Sequence, residues 1–382
     1  MHASPTPGLT DSREVGPLLL AIDNNLKYLD RLLKAGAAGG GQPATLQFGK
    51  EAVPVTHLKE CFLDFKSKLM EYGLSEAFFQ YIKENYRFYR GAAKNDVLFT
   101  GYYEADLRGS LTPSEVYRYP LYRTPEDLYR VELQGFYFFE NVKGLPRVLR
   151  GRIKEENDGG GTGRTIVPYY TREDIDYLGK LNGKGLEIVW IDNPIDVFFL
   201  HIQGSGIVTL DSGKTLRVNY DESNGHPYIA IGRLLVQKGI LTLENVSMQS
   251  IQAYLREHPE KVKEYLTANP SYVFFREVAD GPIGSLGVPV TPYRSIASDR
   301  YLFPPGALCY IETRLPVFDE RGNMVEEKPF SGFVLNQDTG GAIRGPGRID
   351  LFTGYGEKSK LIAGHLKQTG TLYFLIKKTT AR

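Results

Sequence analysis

The chain reads as a mainly β protein with flanking helices, built as two β domains. Three observations carry that reading. Short β-type runs separated by Gly, Pro and Asn-Gly breaks fill residues 97–220. A second set of such runs occupies the chain after Pro270. Stretches of helical periodicity precede each block. The order helices, β block, helices, β block predicts a C-terminal β-barrel, with the first block a second barrel inserted between it and the N-terminal helices. The expected division is 1–112 for the N-terminal helices and the start of the barrel domain, 113–225 for the insert, and 226–382 for a helical connection and the C-terminal barrel.

The elements follow in order. Residues 13–34 place Leu18, Ile22, Leu26, Leu29 and Leu33 on one helical face. GAAGGGQPA, residues 36–44, is a linker by composition. A second helical region covers His57–Arg90, broken near Gly73, with Ser75 capping the continuation. Leu186–Trp190, Val197–Ile202 and Leu216–Asn219 read as strands. Tyr228–Lys238 and Met248–Glu257 read as helices, the latter capped by Ser247. Leu308–Thr313, Gly332–Leu335 and Leu372–Ile376 are the late strands.

Composition narrows the function. A net charge of +1 over 382 residues gives no electrostatic case for nucleic acid or an anionic membrane surface. The 25 Tyr and 20 Phe against one Trp suit a β-rich core, and tyrosine also suits sugar or peptide grooves. Cys61 and Cys309 are too few and too far apart for a disulfide framework and read as free buried thiols. Six scattered histidines give a metal site no support, and no cofactor is expected. There is no apolar run long enough to span a membrane. MHASPTPGLT lacks the regions of a signal peptide and reads as the start of a mature chain.

Leu335–Gly356, LNQDTGGAIRGPGRIDLFTGYG, holds six glycines and two carboxylates, Asp338 and Asp350. Asp350 lies among Ile349, Leu351 and Phe352, a setting that raises a carboxyl pKa as a general acid requires. The plainer alternative is that both aspartates cap turns. Further motifs are Thr100-Gly101-Tyr102-Tyr103-Glu104 at a strand end, and His201-Ile202-Gln203-Gly204-Ser205-Gly206, read as a strand opening into a close-approach loop. Asn224-Gly225-His226-Pro227 is a turn entering a helix, and Thr291–Ser295 and Ser298–Arg300 lead into the final barrel. Gly159–Arg164 lacks the Lys-Ser/Thr ending of a phosphate loop and reads as a plain loop. Ser205 lacks the spacing of a nucleophile elbow. Asp211-Ser212-Gly213 and Asp338-Thr339-Gly340 have the form of a pepsin-like pair. Gln337 stands where an apolar residue is needed, however, and Asp211–Lys214 reads as a hairpin turn.

Taken together and in this order, FTGYYEAD, FFLHIQGSG, NGHPYIAIGRLL, NPSYVFF, GVPVTPYRSIASDR and QDTGGAIRGPGRIDLFTGYG resemble the blocks of the membrane-bound lytic murein transglycosylase A family, from about Leu98 to Lys378. The last two blocks match the family's three-aspartate domain, at Asp299, Asp338 and Asp350. The resemblance implies a double-psi β-barrel facing an inserted β-barrel across a glycan groove. It implies cleavage of the β-1,4 bond between N-acetylmuramic acid and N-acetylglucosamine in peptidoglycan glycan strands. The catalytic acid maps onto Asp350 and the supporting aspartate onto Asp338, while Thr100, Gly101, Tyr102, Gln203, Gly204 and Ser205 map onto the groove walls.

The implied chemistry needs one carboxylate, which protonates the leaving oxygen and then takes the proton of the sugar's own C6 hydroxyl, leaving a 1,6-anhydromuramoyl end. Backbone amides of the glycine turns are expected to steady charge on that carboxylate. The resemblance further implies a periplasmic, outer-membrane-associated monomer, with cell-wall synthesis or division proteins as partners. A non-catalytic glycan-binding barrel is the alternative. Two departures stand out: no lipidatable cysteine lies near Met1, and Arg344 and Arg348 flank the acid. The expectation directs both arginines along the groove towards substrate.

Overall fold

A computed structural model describes residues 1–38, 44–91, 96–136, 146–157, 162–341 and 343–379. The chain divides into two compact units, Met1–Tyr103 with Asp280–Arg382, and Glu104–Ala279.

The first unit begins with β1 (His2–Ser4), α1 (Val15–Ala38), β2 (Thr45–Phe48), β3 (Glu51–Pro54), α2 (Val55–Tyr72), α3 (Glu76–Asn85), β4 (Tyr86–Arg90) and the first half of β5 (Val97–Ser110). The second unit holds the rest of β5, then β6 (Tyr119–Tyr122), β7 (Tyr129–Glu132), β8 (Val148–Asn157), β9 (Thr162–Pro168), α4 (Arg172–Asp176), β10 (Glu187–Ile191), α5 (Pro194–Gln203), β11 (Ser205–Leu210), β12 (Thr215–Ser223), α6 (Ile231–Gln237), α7 (Met248–Glu257), α8 (Val262–Thr267) and β13 (Val273–Glu277). The chain then completes the first unit with β14 (Ser295–Ala297), β15 (Leu308–Phe318), β16 (Met324–Asp338), β17 (Arg348–Tyr355), α9 (Glu357–His365) and β18 (Lys367–Lys377).

In the first unit β5, β18, β15, β16, β14 and β17 pair in a closed ring of six strands, because β5 bonds both β17 and β18. Closure leaves these strands without a free edge. The register is set by the buried face: Leu308 opposes Leu335, Ile296 opposes Leu351 and Cys309 opposes Phe374. The helices cover the barrel with aromatic contacts, Phe65 and Phe78 meeting Phe333 edge-on at 5.1 and 5.8 Å. Leu18, Ile22 and Leu29 of α1 are fully buried as the periodicity predicts, with Leu26 and Leu33 packed at the margin. Ahead of α1, Asp11 is sealed against the barrel. Its carboxylate accepts from Arg294 Nη1 at 2.5 Å, from Arg294 Nη2 at 3.2 Å and from Phe333 N at 3.0 Å.

The second unit carries the sheet β6-β10-β5-β11-β12-β13, with β5 and β11 parallel and the other pairs antiparallel. A separate three-stranded sheet comprises β7, β8 and β9. One apolar cluster joins Ile195, Phe198 and Phe199 of α5 to α6, α7 and α8.

Two expectations are corrected. Val197–Ile202 is not a strand but the body of α5. Asn193 accepts from Ile195 N at 2.9 Å as N-cap, Pro194 occupies the first turn, and Gly204 ends the helix at φ +82°. Those capping signals outweigh an apolar run that periodicity alone cannot assign. The second helical region stops at Asn85, because Tyr86–Arg90 alternates as a strand between β1 and β18. The two compact units divide at 103/104 and 279/280. The β12–β13 pairing and the α5–α8 cluster bind residues 226–279 to the insert.

Other readings match. Ser75 caps α3 and Ser247 caps α7, Cys61 and Cys309 are buried free thiols, and Asp211–Lys214 is the β11–β12 turn, with Leu210 N bonded to Lys214 O. That exposed turn is no place for a shared-proton aspartate. Of the linker, residues 39–43 lie outside the described residues, as does 159–161 of the glycine-rich loop, whose Thr162–Arg164 opens β9.

Candidate active site

Asp338 ends β16 and Asp350 lies in β17, and both are register partners of Ala297 in β14 between them. Two strand spacings put their Cα atoms roughly 9–10 Å apart. The small, buried Ala297 separates them.

Asp350 has a side chain only 15% exposed. Thr100 Oγ1 of β5 donates to its Oδ1. Arg348 Nε reaches the same oxygen at 3.1 Å, and Arg348 Nη2 reaches Oδ2 at 3.3 Å. Burial pushes the Asp350 carboxyl above the usual range, and the pull of Arg348 and the Thr100 bond only partly offset it. Arg348 therefore does not run along a groove, as expected, but folds back onto the acid. Residues i and i+2 share one face of a strand, so the Arg-x-Asp spacing places them together. Arg344 is exposed, and its guanidinium meets its neighbour's Ile343 O at 3.4 Å.

Asp338 is bound differently. Its Oδ1 accepts from Ser285 N at 2.9 Å and Thr339 N at 2.8 Å, and its Oδ2 from Tyr102 OH at 3.0 Å. Burial raises its pKa as well, against these donors. Tyr102 leans on Phe352 with ring centroids 5.1 Å apart, and its phenol is held far above its ordinary range by burial and by Asp338. Asp299, third of the motif, accepts from Tyr301 N at 3.0 Å and Gly345 N at 2.9 Å. It thus pins the turn that leads to Arg348. The expected backbone-amide support goes to Asp338 and Asp299. The bonds described at Asp350 come from side chains.

Thr100, Gly101, Tyr102, Asp338 and Asp350 are thus brought together. Gly101 has a packing reason for lacking a side chain: a Cβ there would lie 2.7 Å from Ala363 Cα on α9. Gln203, Gly204 and Ser205 belong to the second unit, at the end of α5. Gln203 Nε2 lies 3.9 Å from Met248 Sδ, Gly204 supplies the left-handed cap, and Ser205 is buried where β11 meets Asn219 of β12.

Behind them, Arg172 Nη2 donates to His201 Nδ1 at 3.0 Å and also to Ser271 O at 2.7 Å. Arginine has no acceptor, so His201 carries its proton on Nε2. Burial and Arg172 together hold its pKa well below the ordinary value. Nothing local in the chain marks Arg172 or Ser285, which reach the site through tertiary contacts. Arg348 was within reach of the strand alternation.

Comparison with known proteins agrees with this architecture. Residues 98–276 match the MltA specific insert domain and residues 294–376 the 3D domain. The chain is 31% identical over 288 residues to the membrane-bound lytic murein transglycosylase A of Vibrio cholerae, covering 75% of this chain and 67% of that protein. Against the Escherichia coli K12 protein of the same name it is 30% identical over 283 residues, 73% of this chain and 66% of the relative. The match thus spans about two thirds of those relatives' length. Among solved structures, the membrane-bound lytic murein transglycosylase of Agrobacterium tumefaciens superposes with a TM-score of 0.72 at 28% identity, covering 99% of this chain and 98% of the other. MltA from Neisseria gonorrhoeae superposes at 0.64 with 29% identity, covering 94% and 89%. With a closed six-stranded barrel, an inserted β domain and its three aspartates in place, the chain belongs to the membrane-bound lytic murein transglycosylase A family of peptidoglycan lytic transglycosylases.

Proposed function

We propose that the protein cleaves the β-1,4 bond between N-acetylmuramic acid and N-acetylglucosamine with formation of a 1,6-anhydromuramoyl end, Asp350 serving first as acid and then as base. The observation that carries this is the Asp350 carboxyl in the barrel wall, raised in pKa by burial and aimed by the side chains of Thr100 and Arg348. Protonated Asp350 gives its proton to the glycosidic oxygen as the C1–O bond breaks. The resulting carboxylate takes the proton of the C6 hydroxyl while that oxygen bonds to C1, so no water is consumed and the acid is restored. Asp338 supports the site by fixing Tyr102 and the Ser285 loop, and three donors already occupy its oxygens. Tyr102 of the first unit is assigned to substrate contact, and in the second unit Gln203, Gly204 and Ser205 are assigned the same role.

The substrate is murein glycan, which places the action in the periplasm. The relatives' names say membrane-bound, and among the described residues no helix is long and apolar enough to cross a membrane. One observation favours the alternative of a non-catalytic glycan binder: the Arg348 pair stabilises the charged form of Asp350. Mass spectrometry of murein fragments decides between them. Products one water lighter than hydrolysed muropeptides, formed by the parent and not by Asp350→Ala, are expected. Binding without release would establish the binder, and hydrated products a hydrolase.

A further inference from the structure

Lone-pair counting at Asp350 goes one step beyond the assignment of the acid, and rests on that assignment. Each carboxylate oxygen offers about two lone-pair sites. Oδ1 receives two donors, Thr100 Oγ1 and Arg348 Nε, and is filled. Oδ2 receives one, Arg348 Nη2, through the longest of the three bonds at 3.3 Å. The one Nε proton of Arg348 is shared between Asp350 Oδ1 and the Thr100 hydroxyl oxygen, which accepts it at 3.2 Å. A guanidinium can only donate, so the Thr100 proton is turned towards Asp350 and is not offered to substrate. Thr100 therefore acts on the acid rather than as a groove wall.

We propose that Arg348, acting with Thr100, is a positioning residue that confines the transferable proton of Asp350 to Oδ2 and governs the exchange between its acid and base forms. The guanidinium fork fits both states. When Oδ2 bears the proton, one lone pair remains there for Arg348 Nη2. When the proton has left for the glycosidic oxygen, the same fork faces a full carboxylate and strengthens as a charge-assisted pair. The Arg348 side chain is 36% exposed, so its attraction is screened enough to leave burial dominant. The other groups facing Asp350 do not supply this function. From β5 come Thr100 and the phenol of Tyr102, itself bound to Asp338. Across β14 lies Asp338, a like charge when ionised. Asp299 after β14 is committed to the amides of Tyr301 and Gly345. The helix α9 presents Ser359 to Thr353 and Ala363 to Gly101, neither of them charged.

The test compares the parent with Arg348→Gln, Arg348→Lys and Thr100→Val by two readouts: the pH dependence of anhydromuropeptide release, and NMR titration of the Asp350 side-chain carboxyl carbon without substrate. In Arg348→Gln the alkaline limb should move to higher pH. The ratio of activity at pH 8 to that at pH 5 should rise by roughly tenfold or more, the lower end of what removing an adjacent opposite charge does to a carboxyl. The NMR midpoint should move in the same sense. Arg348→Lys keeps the charge but loses the fork, so its limb should stay while the rate falls. Thr100→Val should shift the limb upward by less than Arg348→Gln. A purely structural role would lower rate and melting temperature and leave both midpoints in place, and that result overturns the proposal. Should Arg348→Gln not fold, Thr100→Val decides by the same midpoints. If the parent releases no anhydro product, the proposed function fails, while the NMR titration still reports whether Arg348 acts on Asp350.

Discussion

Asp350→Asn should have two effects of opposite sign, and the pair is a stringent test of the buried-acid reading. The amide keeps the shape and the acceptor for Thr100 but cannot give or take a proton. General acid–base catalysis contributes about 10²–10⁴-fold, and here one group serves both half-steps, so loss at or beyond the upper end is expected. Stability should rise. The folded carboxyl lies above its unfolded value of about 3.9, because burial outweighs Arg348. Its stabilising contribution is therefore fully present below the unfolded pKa and is lost as pH rises through the folded pKa. At pH 7 the ionised form is a liability worth about 1.4 kcal/mol for each unit of that elevation. Asparagine removes the liability, and each kcal/mol so recovered raises Tm by roughly 2–4 °C. The remaining Arg348 is over a third exposed and stays solvated. The assay is thermal unfolding of parent and variant at pH 7 and at pH 3.5, where the difference should largely vanish. A Tm that falls at pH 7 would mean that the Arg348 pair outweighs burial and that the folded carboxyl lies below its unfolded value, refuting the buried acid.

Further predictions concern the frame around the site. Gly101→Ala forces a methyl group to within 2.7 Å of Ala363 Cα, and should cost about 1–3 kcal/mol in denaturant unfolding. A variant of parental stability but weaker murein binding would place the role of Gly101 in the groove and not in packing. Asp11→Ala strands the buried guanidinium of Arg294, which should cost about 3–5 kcal/mol. The double variant Asp11→Ala/Arg294→Met should recover part of this, and strict additivity in the cycle would show the pair to be uncoupled. His201 is held neutral, so its contribution is present above about pH 6.5 and lost as pH falls towards its depressed folded pKa. Its imidazole signals should show no titration between pH 6 and 8, and a midpoint near the free value would refute its burial against Arg172.

What could be read from the chain, and what could not, follows from the range of the forces involved. The strands Leu308–Thr313 and Leu372–Ile376 and the helix Met248–Glu257 declare themselves through alternation or caps within a few residues. Tyr86–Arg90 does not, because it is a strand only by virtue of β1 and β18, which are remote in sequence. Val197–Ile202 is the opposite case: its helix is specified locally, by Asn193, Pro194 and Gly204, while its apolar run is equally compatible with a strand. The acid site shows the same split. Asp350 and its apolar neighbours are contiguous, whereas Thr100 reaches it across 250 residues and Ser285 reaches Asp338 across 53.

The closed barrel explains how a carboxyl can be buried and yet be held by side chains alone. A closed ring satisfies strand backbones internally, so β14 can be only three residues long and still hold Asp338 and Asp350 on either side of a small alanine. Side chains, not main-chain amides, then do the tuning at Asp350. Such donors can be adjusted one at a time: Arg348 lowers the carboxyl pKa, burial raises it, and Thr100 orients it. Asp338 has instead two main-chain donors that cannot be replaced without moving the loop, which suits a fixed support and not a proton carrier. The division of labour between the two aspartates thus rests on who donates to them, since burial raises both.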